Sequence, residues 1–395
     1  MVKERIDDLV DILGEEFAKM ENTFVIRNQQ QLVKYLENPR EWKQKQLLSR
    51  NSYRKELISL AKSQISLLNE KTEKVFLLSY RQVDKQNIVI SEHEIEAKDI
   101  PEDVKKRIRE MQEFNAKGVV QLANQSLRTY TKSVRIISQT TSQEELYDAI
   151  KTQMPKGIDN GIKVAYRNGA EVSWKSYMEM NVRTTIHQET TKMQMTAGAK
   201  VGQIFYIVDS FADCAPDHAD YQGKVYYNAE AEIPDEVMSF IESNGIKSVQ
   251  EVRDGKPYLS SRPNCRHEFH AIPLSEAMGK SEEEILQSEG FEHGEYKDSN
   301  YEATQQQRYI ERQIRKWKLR ATGGERLQRE TGQDIADADF AKAKVRQWQA
   351  RQRELIKENP KLLERRYDRE NAKIIVDHLG VRYDYKVVDG RLVKK

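Results

Sequence analysis

The chain's only two cysteines each stand beside a histidine, in Cys214-x3-His218 and in Cys265-x-His267. Two thiolates and two imidazoles make a donor set for a closed, tetrahedral, structural zinc site. Such a site would staple a small unit that has few strands and little apolar sequence. The spacing matches no standard finger. The alternative keeps Cys214 and Cys265 as reduced, buried thiols and His218 as a surface or hydrogen-bonding residue. His270 lies nearby, but side chains alternate along a strand, so His267 and not His270 shares a face with Cys265.

Acids sit close enough in sequence for catalysis to be considered: Asp209, Asp213, Asp217 and Glu268. A catalytic zinc needs three protein ligands, an open position and an acid or base nearby. A metal-dependent nucleic-acid-processing enzyme, for instance of HNH type, would use these histidines with Asp209 or Glu268. Against it, the chain has no Gly-rich phosphate loop, no Ser or Cys nucleophile elbow and no His-Glu-x-x-His motif. His267-Glu-Phe-His270 lacks that spacing and sits in strand-like sequence. The expectation is therefore a non-enzymatic clasp, with the enzyme as the alternative.

The elements that would position the clasp read as a predominantly helical α+β fold. Residues 1–155 form a helical N-terminal arm. In it Ile6, Leu9, Val10, Leu13 and Phe17 make one helical stripe. Asn38-Pro39 is a break, and Leu57, Ala61, Ile65, Leu68, Thr72 and Val75 continue the period. Asn87-Ile-Val-Ile90 is a strand or a loop, and Pro101 opens a further helix. Residues 156–280 form a central α+β module after a boundary at Met154-Pro155. It holds a short helix from Asp159 to Tyr166 and a second from Ser173-Trp174 through His187. Strands follow at 203–208, 224–227 and 266–272, with a helix from Pro234 to Ser243. Residues 281–395 form an acidic linker or solvated helix and then a basic helical region. In that region Gly323-Gly324 interrupts the first helix. Others run from Asp337 to Glu358 and from Leu362 to Leu379, before a terminal hairpin around Asp389-Gly390.

Composition narrows the partners. Of 395 residues, 32% are charged and 38% hydrophobic, which suits long solvated helices. The net charge is +2, yet residues 301–395 carry 24 Lys+Arg against 15 Asp+Glu, a net of +9. The remainder holds 41 against 48, a net of −7. Arg308, Arg312, Arg315, Lys316, Lys318 and Arg320 crowd one helix beside the stripe Ile310, Ile314, Trp317 and Ala321. They either follow a nucleic-acid backbone or form a solvated face. The cysteine usage rules out a disulfide scaffold, and no apolar leader or bilayer-spanning run is present. A soluble protein made in a reducing cytoplasm is expected, with no membrane contact.

These residues also carry a resemblance. Gly169 to Thr184, with Trp174, Tyr177, Met180 and Arg183, is followed by Cys214-x3-His218 and Gln222-Gly223-Lys224-Val225. Then come Pro263-Asn264-Cys265-Arg266-His267 and Tyr301-x2-Thr304-x-Gln306-Gln307-Arg308-Tyr309-Ile310-Glu311-Arg312. In this order, over roughly residues 170–320, the set resembles the minor capsid protein 2 group of tailed bacteriophages and prophages of Gram-positive hosts. That group is related to the Mu F-like, or phage head morphogenesis, minor head proteins. In the Mu F-like group the paired motifs tend to read Cys-x2-Cys and Cys-Arg-Cys. Here histidine takes the second place of each pair, at 218 and 267, a change that keeps zinc-ligand chemistry. The resemblance implies a virion component associated with the portal vertex or the head interior. Its expected partners are the portal, other head proteins and packaged DNA, and its expected work is assembly, packaging or delivery.

Overall fold

The computed structural model of the chain describes residues 6–33, 39–86, 102–140, 143–291, 293–331, 337–374, 385–388 and 391–394. Helix α1 (Ile6–Val33) buries Val10, Leu13, Phe17, Met20 and Phe24, which extends the stripe seen in sequence. Helix α2 (Pro39–Gln86) starts on its proline, where a missing N–H costs nothing. It packs along α3 (Glu102–Ile137), which has Glu102 and Asp103 in its first turn and Arg135 in its last. Helix α4 (Gln143–Asn160) packs on α1 and α3. Met154-Pro155 lies inside α4 rather than between elements. Asn87–Ile90, expected as strand or loop, lies outside the described residues.

No helix spans 159–166. Instead α4 ends at Asn160, and strands β1 (Lys163–Ala165) and β2 (Glu171–Ser173) pair antiparallel, with Val164 opposite Val172. Lys163 and Ala165 are exposed while Val164 is buried, a period of two rather than 3.6. Asn168-Gly169 makes the turn, with Gly169 at φ +83°.

Helix α5 (Trp174–Lys200) begins at its cap Ser173, whose hydroxyl accepts from the Ser176 N–H. It links two cores. Trp174, Met178, Val182 and Ile186 belong to the core built by α1 to α4. Trp174 is fully buried there, edge-on to Phe17, and its indole N–H donates to the Gly118 carbonyl at 2.9 Å. Further along α5, Met195 belongs to the core of the sheet that follows.

That sheet has the order β4-β3-β5 and is antiparallel throughout: β3 (Phe205–Val208), β4 (Val225–Tyr227) and β5 (Phe269–Ala271). All four residues of β3 are buried, because helices cover both faces. Phe205 and Ile207 pack with α6 (Asp235–Asn244), α8 (Leu274–Gly279) and α9 (Glu282–Glu289). Tyr206 and Val208 pack with α5 and α7 (Val249–Asp254). This explains the unbroken apolar run at 204–208. The polar stretch from Ser281 is helix α9, closed by a capping box between Ser281 and Glu284, with Ile285 and Leu286 buried.

Helix α10 (Asp298–Thr331) runs straight through Gly323-Gly324, contrary to expectation. The helix passes close to α1 here: a Cβ on Gly323 would lie 2.6 Å from Gln29 Oε1, the flexible end of that side chain. Helix α11 (Ala338–Glu358) packs along α10. The helix expected from Leu362 does not form over 362–374, which is turns and irregular chain. Polar ties hold that segment together and to the body. Glu370 is fully buried and takes two bonds from Arg365, at 2.8 and 2.9 Å. Arg366 reaches Asp11 at 3.1 Å, and Asn22 donates to the Lys373 carbonyl at 3.0 Å. Strands β6 (Tyr385–Val388) and β7 (Arg391–Lys394) form the terminal hairpin. The fold is α+β and predominantly helical. Among the described residues, no helix is long and apolar enough to cross a membrane.

Candidate metal centre and basic helix

Two loops at one end of the three-stranded sheet meet here. The first leaves β3, carries Cys214 and closes in the 3-10 turn Pro216–His218. The second runs from α7 to β5 and carries Cys265 and His267. Tyr258, Ser260 and Asn264 in it hold φ near +60°, a conformation that costs a non-glycine residue about 1 kcal/mol or more. Two ion pairs join the loops. Arg266 reaches both carboxylate oxygens of Asp213 at 3.0 Å, and Arg262 pairs with Asp217.

Between those pairs, ligand atoms of His218, Cys265 and His267 lie within 4.8 Å of one another, and all three residues are buried. The two Nδ1 atoms are 3.3 Å apart. Cys265 Sγ is 3.3 Å from His267 Nδ1 and 3.7 Å from His218 Nδ1. Cys214 is buried in the same first loop and stands outside this triad. Burial, with Asp213 beside it, pushes the Cys214 thiol up to about 12.

The hydrogen bonds fix the tautomers. His218 Nε2 lies 3.1 Å from the Pro257 carbonyl, which can only accept. The Gln222 amide is oriented by the Phe211 backbone: its Oε1 accepts the N–H at 2.8 Å and its Nε2 donates to the carbonyl at 3.1 Å. The same Oε1 faces His267 Nε2 at 3.1 Å, so that nitrogen must donate too. A neutral imidazole has one N–H, so both Nδ1 atoms present lone pairs to each other. Burial lowers the basicity of both rings and takes His267 down to about 3, so neither is protonated at neutral pH. The Ser260 N–H donates to Cys265 Sγ at 3.2 Å, and the one thiol proton can serve only one of the two lone pairs. Two imidazole nitrogens and a sulfur thus converge with their outer atoms already held, the arrangement expected around a zinc ion.

Sequence reasoning did not give Gln222, Pro257 or Ser260 a role. Gln222 was visible as part of a motif, whereas Pro257 and Ser260 act through backbone atoms that carry no residue-type signal. The strand argument for His267 also needs amending. His267 precedes β5, and it is Gln222 that aims it. His270 is inside β5, bonded to Asp209 at 2.8 Å and stacked on Phe291 at 4.3 Å, so Asp209 is engaged away from the triad.

The six basic residues of α10 do not share a face. Arg308 is pushed down to about 10 by burial, with Arg266 and Arg369 nearby. Arg315 donates to the Arg369 carbonyl at 3.3 Å, and Lys318 pairs with Glu370 at 3.4 Å. Arg312 is exposed over Tyr309, while Lys316 and Arg320 lie over Trp317. Residues 312, 316 and 320 form one row of the helix, at i, i+4 and i+8.

The family model of phage minor capsid protein 2 matches residues 3–357. A structural protein of Lactococcus phage LL-H is 25% identical over 236 residues, which cover 59% of this chain and 57% of that protein. A structural protein of Lactococcus phage mv4 is 34% identical over 120 residues, 29% of this chain and 83% of that one. The chain therefore spans little more than half the length of the first of these relatives. No solved structure matches it. With the match running from α1 to the end of α11, the chain belongs to the phage minor capsid protein 2 family.

Proposed function

We propose that the chain is a non-enzymatic structural component of the phage head. It would contact the portal and other head proteins and assist head assembly, DNA packaging or delivery. The match over residues 3–357 supports this reading. On it, the Cys/His cluster is a structural zinc clasp made by His218, Cys265 and His267, with Cys214 as fourth ligand. The observation that carries the clasp is the pair of Nδ1 lone pairs 3.3 Å apart, each forced inward by a bond on the other side of its ring. A bound ion would supply the positive charge those donors lack and would tie the β3 loop to the β5 loop. Exposed Arg312, with half-buried Lys316 and Arg320 in the same row, is the part of α10 that would meet packaged DNA.

Metal content of the purified chain, read beside its location in isolated heads, tests both parts. One zinc per chain, lost together with thermal stability in Cys265→Ser, supports the clasp. Plasmid cleavage that needs added magnesium or manganese and vanishes in His267→Ala overturns the non-enzymatic reading. Absence from purified heads overturns the virion role.

A further inference from the structure

The helical core carries a second charged feature, remote in sequence from the metal cluster and from α10. An open groove of about 800 Å³ is lined by α2 and α3. Arg50 and Arg54 line it from α2, and Arg128, Lys132 and Arg135 from α3. All five are exposed, and among the described residues none is paired with a carboxylate. Two asparagines, a threonine and Leu127 complete the lining, with no acid among them. Elsewhere on the same helices some cations are matched, as Lys71 is with Glu16, Lys105 with Glu102, and Arg107 with Glu110 and Glu189, and others such as Lys55, Lys62, Lys74 and Arg109 are exposed without lining a groove. Five like charges on neighbouring turns repel one another, which disfavours the fold unless an anion lies against them.

We propose that this groove seats the sugar-phosphate backbone of duplex DNA. Rows of cations without carboxylates select a polyanion. An acidic protein segment would need an apolar or aromatic anchor, and among the described residues the only apolar one in the lining, Leu127, is buried. A single strand would use exposed aromatic rings for stacking, and the described residues of the lining include none. A duplex needs neither, because its bases face inward. Residues 128 to 135 span about 10 Å of helix, enough to meet about three successive phosphates of one strand. The surface is separate from α10, so the DNA contact proposed there stands or falls independently.

The test is the binding of a fluorescein-labelled duplex of arbitrary sequence to the full chain, by anisotropy, over about 50 to 200 mM salt. Arg54→Gln/Arg128→Gln/Lys132→Gln/Arg135→Gln is expected to weaken binding at least tenfold at low salt. The slope of log K against log salt should shrink by about 3 to 4, at about 0.9 per lost phosphate contact. Arg54→Lys/Arg128→Lys/Arg135→Lys keeps the charge and should keep the slope. If the fourfold variant fails to fold by circular dichroism, Arg128→Gln and Lys132→Gln decide singly, each removing about 0.9 from the slope. The proposal is overturned if wild type binds no duplex, or if the groove variants bind as wild type does while Arg312→Gln/Lys316→Gln/Arg320→Gln does not. It is also overturned if a single strand binds the groove as tightly as duplex, or if polyglutamate displaces duplex at equal charge concentration.

Discussion

Glu311 should titrate near neutral pH instead of near 4.5, and its replacement by glutamine should show it. The side chain is 3% exposed on α10, and its Oε1 has no hydrogen-bond partner among the described residues. Burial pushes the carboxyl from 4.5 up to about 7, and Asp368 adds to this; Arg369, Arg308 and Arg366 pull the other way without overcoming it. The sign follows from proton counting. Between pH 4.5 and 7 the folded chain holds a proton that the unfolded chain has released, so stability falls as pH rises through that window. At about 1.4 kcal/mol per pH unit, the penalty reaches about 3 kcal/mol above pH 7 and is about 1 kcal/mol at pH 5. Glu311→Gln is close in shape and cannot ionise, so it should gain stability over wild type by about 3 kcal/mol at pH 8 and by much less at pH 5. Urea unfolding at the two pH values measures this, provided the m value is unchanged. An equal difference at both pH values would show that Glu311 does not titrate abnormally. A glutamine variant weaker at pH 8 than at pH 5 would show an ionised Glu311 paired with Arg369, and the reasoning would fail.

Two further outcomes are expected. Burial alone would raise Glu179, but Lys175 and Arg183 outweigh it and hold the carboxyl at about 2. Its stabilising effect is thus complete above 4.5 and is lost as pH falls towards 2, so wild type should lose more melting temperature between pH 5 and pH 3 than Glu179→Gln does. Gly198 lets α5 approach the sheet, since a Cβ there would lie 2.0 Å from Tyr206 Oη, on a rigid, fully buried ring. Gly198→Ala should therefore destabilise by about 1–3 kcal/mol despite its better helix propensity. Adding Tyr206→Phe should restore most of the loss in a thermal melt; no recovery would mean that the clash is not the cause.

The parts of this fold that could be read in advance are those where one local pattern is satisfied by one surface. Val10, Leu13 and Phe17 recur helically because a single face of α1 is buried. The run at 204–208 is apolar without alternation because helices cover both faces of β3. Reading failed where distant partners outvote the local pattern. Leu362 and Leu363 open a helix-like sequence, but buried Glu370, held by Arg365 and Lys318, keeps 362–374 out of a helix. Gly323-Gly324 looks like a break, yet the helix runs on through it and passes close to Gln29 of α1.

The same division governs the two charged sites. The pairing of cysteine with histidine was visible because metal chemistry is written in residue types. What aims the rings was not, because the Pro257 carbonyl, the Phe211 backbone and the Ser260 N–H are main-chain groups placed by tertiary structure. Charge is subject to a further averaging. Counting along the chain marks the first 300 residues as acidic, with a net of −7, and points to α10 as the basic element. In space the order changes, since Arg308, Arg315 and Lys318 of α10 turn to the body and only one row of that helix remains. Arg50 and Arg54 belong to one helix and Arg128, Lys132 and Arg135 to another, with some seventy residues between them. Neither group is notable alone, and an acidic average conceals both. Only the packing of α2 along α3 makes them one surface, so polyanion recognition in this chain depends on which cations lack carboxylate neighbours rather than on how many a segment contains.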